Sequence, residues 1–223
     1  PRGAPVTTAG QGPPRPDQWL WTYDGYVPEE EGLREALCTL GNGYLATRGA
    51  LAETTDDGVH YPGTYLAGTY NRLRSDVAGR IVENESLVNI PSWLPLSFAT
   101  TDGADFHPDS CEVLDHRLEL DLRRGLLTRR SRLREPGGKV LAVTQRRFVS
   151  LRDPHLAAVE CTLAAEGWSG RLVVTSALDG RVTNDGVARY RSLPSDHLLP
   201  VEECFADEHT MCLEGETSDS HIR

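Results

Sequence analysis

The chain has 223 residues, of which 39% are hydrophobic and 25% charged, a composition of ordinary globular proteins and not of disordered ones. Its formal net charge of −10 argues against a general nucleic-acid or anionic-membrane partner, because phosphate polymers are held by clustered positive charge. No run of about 18 apolar residues is available for a membrane span, and the length allows one large domain, for which an undivided all-β sandwich suffices.

Residues 1–17 open PRGAPVTTAGQGPPRP, with neither the apolar centre of a signal peptide nor a helical period, and read as a linker or tail before a domain over 18–223. Glu29–Leu37 is expected to form a short helix, with acids at its start and Leu33 and Leu37 spaced i, i+4 as its apolar pair; Gly32 weakens it and Gly41 ends it. Beyond that point the period alternates. Gly43–Arg48 reads as a strand, and Leu94–Phe98 as another, entered through Pro91 and Pro95 and left at Thr101-Asp102-Gly103.

The clearest pattern follows. In Leu118–Leu122 leucines and acids alternate, as in a half-buried antiparallel strand. The chain turns at Arg124-Gly125, returns over Leu126–Leu133 and turns again at Glu135–Gly138. Val140–Leu151, apolar at both ends, is expected to cross the middle of a sheet, and His155–Leu163 and Gly170–Leu178 supply further strands. Short strands at such turn spacings predict an all-β antiparallel architecture of two large packed sheets. Met211–Glu216 and Thr217–Arg223 look like two halves of an interrupted hairpin, so both ends read as fragment boundaries.

Chemistry-bearing patterns are sparse. The five cysteines are odd in number and lack a C-x-x-C pair, which implies free thiols in a reducing, cytoplasmic setting, and the histidines show no metal-ligand spacing. No nucleophile elbow, phosphate loop or dinucleotide fingerprint occurs; Gly41-Asn-Gly43 lacks a third glycine at the right offset and leads into a strand. Neighbouring acids occur at Glu29–Glu31, at Glu83 and Glu85, and at Asp102 and Asp105, but a charged loop face explains them more simply than a catalytic pair. The six arginines within Arg123–Arg134 read as the solvated face of a hairpin beside cross-strand carboxylates; a polyanion patch is the other reading.

Three blocks place Gly or Pro beside aromatics: Leu37–Gly49 (LCTLGNGYLATRG), Tyr61–Asn71 (YPGTYLAGTYN) and Leu87–Leu96 (LVNIPSWLPL). Tyr61, Tyr65, Tyr70 and Trp93, with Trp19 and Trp21, are candidates for an interface or for stacking on sugar, the interface being favoured. Tyr65, Tyr70 and Trp93 are expected to stand exposed where a partner would cover them.

Together with LELDLRRGLLTR, RRFVSLRDPHLAA and ETSDSHIR, these blocks resemble the amino-terminal domain of glycoside hydrolase family 65, the maltose, trehalose and kojibiose phosphorylases. The resemblance implies a β super-sandwich preceding a helical linker, an (α/α)6 catalytic barrel of the same polypeptide and a small β-domain. It implies inversion at the anomeric carbon of an α-linked glucose disaccharide, with inorganic phosphate as co-substrate in the phosphorylases and water in the hydrolases. The general acid and phosphate-binding residues belong to the barrel, so no catalytic, cofactor or metal residue is assigned here. A homodimer is a further possible partner, and a stand-alone carbohydrate-binding module is the competing reading.

Overall fold

The computed structural model describes residues 16–184 and 193–223, so most of the expected tail over 1–17 lies outside the described residues. These residues hold a 3-10 turn, Pro16–Trp19, one α-helix, α1 (Pro28–Leu37), and otherwise strands. In chain order the strands are β1 (Leu20–Asp24), β2 (Leu40–Gly41), β3 (Leu45–Thr47), β4 (Thr64–Leu66), β5 (Tyr70–Val77), β6 (Arg80–Leu87) and β7 (Leu96–Thr100). They continue as β8 (Glu112–Asp121), β9 (Leu126–Arg134), β10 (Val140–Val149), β11 (Ala157–Glu166), β12 (Leu172–Ser176), β13 (Leu198–Asp207) and β14 (Thr210–Thr217). The fold is all-β, and the strand pairs described are antiparallel.

The main layer is a five-stranded sheet in the order β1-β8-β9-β10-β11, facing a three-stranded sheet β2-β3-β4; β5-β6, β7-β12 and β13-β14 form two-stranded pairs. Alternation fixes which residues turn inward. His116, Leu118 and Leu120 of β8, Leu127, Arg129, Ser131 and Leu133 of β9, and Leu141, Val143, Gln145, Arg147 and Val149 of β10 are all buried. The apolar members fall at the two ends of this face. At one end Leu118, Leu120, Leu127 and Val149 pack with Cys38, Leu40 and Leu45; at the other, Leu133, Leu141 and Val143 pack with Phe98 and Phe106. Each such side chain contributes roughly 1.5–3 kcal/mol by leaving water. Between the two clusters runs a polar belt of Arg129, Ser131, Gln145, Arg147 and His116.

Several expectations need correction. Helix α1 buries Glu31, Arg34 and Glu35, whereas Leu33 and Leu37 are 62% and 51% exposed. Its inward face is polar because polar partners wait there. The expected interrupted hairpin is also wrong: Met211–Glu216 lies in β14, which pairs with the unanticipated β13, and the residues after Thr217 are not strand. Strand β10 lies inside the sheet, but β9 holds its centre. The hairpin β5-β6 also went unforeseen, since its alternating arginines and glutamates carry no apolar stripe.

Candidate functional site

The belt is organised by charge. Glu53, on the loop after β3, grips Arg129 through both carboxylate oxygens, with Nη1 donating to Oε2 at 2.7 Å and Nη2 to Oε1. Arg147 donates to the Ala50 carbonyl at 2.7 Å, so two arginines of the sheet clamp the loop over 50–53. Leu96 N also donates to the Ala52 carbonyl at 2.9 Å. Burial pushes the Arg147 guanidinium down to about 10, and the positive charge of Arg129 adds to the effect. His116, hydrogen-bonded to Ser131 at 3.0 Å, is pushed down to about 3, first by burial and then by Arg129 and Arg34. Arg129 was expected on a solvated face; the parity of β9 turns it inward instead.

A second cluster lies beneath α1. Glu35 accepts from His60 Nδ1 at 2.7 Å and from the Tyr61 amide at 2.9 Å, and Arg48 lies 3.7 Å away. His60 Nε2 lies 3.1 Å from Tyr26 Oη, which donates to Asp109 at 3.3 Å. Burial, the largest influence on His60, lowers its proton affinity, but the hydrogen bond and charge of Glu35 outweigh it and the group is raised. Glu35, His60, Tyr26 and Asp109 thus form one hydrogen-bonded chain. Arg34 meanwhile bonds the Gly25 carbonyl at 2.6 Å, Glu31 at 3.2 Å and Glu30 at 2.8 Å. This is a latch joining α1 to the loops around 60 and 109. Its protonatable groups are engaged with one another.

Each Gly/Pro-aromatic block also holds an asparagine that clamps distant backbone, and these residues were missed. Asn42 bonds the Ser150 and Pro154 carbonyls at 2.7 and 3.1 Å and accepts from the Tyr44 and Leu45 amides. Its neighbour Gly43 has φ +89, a conformation glycine adopts without a side-chain clash. Gly49 closes the same block where a Cβ would come within 2.7 Å of Cys38 Cβ. Asn71 bonds His197 and Ser218 and accepts from the amides of Asp219 and Ser220. Asn89 accepts from the Thr64 amide at 2.9 Å and donates to the Thr183 carbonyl at 3.1 Å. Asn42 stands between two glycines and Asn89 between two β-branched residues, whereas Asn71, between Tyr70 and Arg72, carried no such local signal.

The candidate rings divide. Tyr61 and Tyr65 are half-buried and joined hydroxyl to hydroxyl at 3.1 Å, with Tyr61 also bonding the Thr183 carbonyl. Trp93 is half-buried, while Tyr70 is 50% exposed, so the expected exposure of all three holds for Tyr70 alone. Trp19 and Trp21 are 40% and 50% exposed. A cleft of about 590 Å³ lies between residues 178–183 and the β13-β14 hairpin; among the described residues its lining carries Asp179, Arg181, Glu203 and Glu214 and no aromatic ring.

Of the acids singled out by position, Glu83 and Glu85 pair with Arg72 and Arg74, and Asp102 pairs with Lys139. Within Arg123–Arg134, Arg124, Arg132 and Arg134 pair with Asp121, Glu166 and Glu112. The cysteines are free thiols, and burial pushes that of Cys38 up to about 11. Among the described residues no group of His, Cys, Asp and Glu has the makings of a metal site, and no helix is long and apolar enough to cross a membrane.

Comparison with known proteins places this architecture. The model of the N-terminal domain of glycosyl hydrolase family 65 matches residues 21–223. An uncharacterized glycosyl hydrolase of Mycobacterium tuberculosis is 47% identical over 207 residues, 92% of this chain and 15% of the relative. A kojibiose phosphorylase of Caldanaerobacter subterraneus is 28% identical over 92% of this chain and 25% of its own length. A trehalose 6-phosphate phosphorylase of Lactococcus lactis is 33% identical over 79% of this chain and 22% of its own. A solved chain from the human microbiome, assigned as a kojibiose phosphorylase, superposes with a TM-score of 0.76 at 18% identity, covering 92% of this chain and 26% of that one. The chain thus spans a quarter or less of the length of these curated relatives.

Proposed function

Since this chain belongs to glycosyl hydrolase family 65, as its N-terminal domain over residues 21–223, we propose that it is the non-catalytic support of a disaccharide phosphorylase or hydrolase. The match to phosphorylases about four times its length carries this reading. Splitting a glycosidic bond needs a carboxylic acid that can reach the leaving oxygen, and a phosphate or water on the opposite face. Three buried carboxylates here are spent on basic partners: Glu35 on His60, Glu53 on Arg129, Glu31 on Arg34.

In this proposal a barrel of the same polypeptide supplies the acid and binds an α-linked glucose disaccharide with inorganic phosphate, in the cytoplasm. The half-buried Tyr61–Tyr65 pair and Trp93, with exposed Tyr70, lie toward that barrel or a second subunit.

The test compares the 223-residue chain with the full-length protein on kojibiose, trehalose and trehalose 6-phosphate, each with inorganic phosphate. Sugar phosphate release from the full-length protein alone is expected. Release by the shorter chain, or its retention on an α-glucan column, would overturn the support role.

A further inference from the structure

The β13-β14 hairpin carries two of the five cysteines, and its register sets them opposite one another. Between irregularities at Pro200/Glu202 and Phe205/Asp207 the ladder runs regularly, pairing Glu202 with Glu214, Glu203 with Leu213, Cys204 with Cys212 and Phe205 with Met211. Paired residues of an antiparallel ladder project from the same face, with Cα atoms about 4.5–5.5 Å apart. A disulfide spans Cα separations of about 4.4–6.8 Å, so the backbone already stands at bridging distance. The Cys212 thiol is also the largest influence on that of Cys204, whose pKa it raises.

Exposure separates this pair from the other cysteines. Cys204 and Cys212 are exposed, whereas Cys38 is buried and Cys111 and Cys161 are partly buried. Among the described residues the hairpin forms a sheet of two strands, so a small reagent reaches the pair without opening a core. The surroundings select the reagent. Glu202 and Glu214 flank the pair, and their charges raise the Cys204 thiol further and repel an anionic partner. An uncharged reagent is therefore favoured, and the exchange is slow, because the thiolate rather than the thiol attacks.

We propose that Cys204 and Cys212 are a modification site, a dithiol that closes reversibly to a cross-strand disulfide by exchange with a small uncharged disulfide. One cysteine, as thiolate, attacks a sulfur of the reagent and expels a thiolate; the other then attacks the cysteine sulfur just joined and expels the second. One S–S bond breaks and one forms: the two cysteines lose two electrons and two protons, and the reagent gains them as two thiols. The bridge closes a loop over residues 205–211 and ties the strands together beside Glu203 and Leu213, which line the cleft of about 590 Å³. Excess thiol runs the same steps backwards, as at other exposed disulfides.

The full-length protein, incubated with hydroxyethyl disulfide, then alkylated and digested with trypsin, tests this by mass spectrometry. Residues 192–222 contain no Lys or Arg, so a single peptide, 192–223, carries both cysteines and no other. That peptide is expected two hydrogens lighter and without alkyl groups, and to take up two alkyl groups after treatment with excess thiol. Two reagent adducts on it, two alkyl groups without that treatment, or links from either cysteine to a third would overturn the proposal. Cys204→Ser and Cys212→Ser, both at exposed positions, each leave one thiol without its partner. At least one of these variants should keep the reagent adduct that the parent sheds; adducts in neither, or an adduct equally persistent in the parent, refute the paired site.

Discussion

Arginine meets glutamate both in the belt and on the β5-β6 hairpin, but in opposite surroundings. The side chains of Arg129 and Glu53 are 4% and 1% exposed, whereas those of Arg72 and Glu85 are 56% and 51% exposed. On the hairpin, water and salt screen the charges, and losing one partner returns the other to solvent. In the belt the charges were already stripped of water, so an orphaned partner has nowhere to turn. The same residue pair is thus interchangeable decoration in one place and a point of failure in the other.

The contrast is broken most severely by Arg129→Met, which strands Glu53 in the interior and is expected to cost about 3–5 kcal/mol in urea denaturation. The double variant Arg129→Met with Glu53→Leu should recover much of that loss, because it removes the buried charge as well as its partner. Next comes Glu35→Gln, which keeps the shape of the latch but not the charge facing His60 and Arg48; about 2–3 kcal/mol is expected from the same measurement.

Histidines sharpen the comparison through pH. The folded affinity of His116 is depressed to about 3, so below the ordinary value of 6.5 the unfolded chain binds more protons and stability falls as pH drops through that window. At pH 5 the loss is about 2 kcal/mol. His60 is raised, so its contribution is fully present below 6.5 and is lost as pH climbs through its folded value. Melting curves should therefore show a stability maximum near 6.5 from these two groups, and His116→Asn should flatten the acid side alone. The smallest effect belongs to the hairpin: Arg72→Ala should leave the denaturation midpoint unmoved, and a clear shift would show that something covers this arm.

How much of this was readable depended on the range of each interaction. Strands β8 to β11 were legible because a period of two is local, and leucines alternating with acids can hardly be misread. The direction of α1 was not. Leu33 and Leu37 satisfied the helical rule for an apolar face, yet the buried face is set by the Gly25 carbonyl, His60 and Arg48, none of them within the helix. Arg129 could have been placed inward from its parity with Leu127 and Leu133, but six arginines in one stretch favoured the solvated reading. In the aromatic blocks the rings drew attention away from Asn42, Asn71 and Asn89. An asparagine whose partners lie 94 to 149 residues away leaves no periodic trace.

The clamp made by Asn71 has a consequence for synthesis. Its amide is satisfied by His197 and by residues 218–220, all more than 120 positions later. A ribosome adding roughly 5–20 residues per second leaves that interval open for about 6–30 s. Through that time the β5-β6 arm hangs from a joint whose keystone has not been made, while β8 to β11 emerge and can pair in order with immediate neighbours. Nascent chains should then be most exposed to proteases and chaperones at Tyr70–Leu87, and the arm should become protected in a single late step.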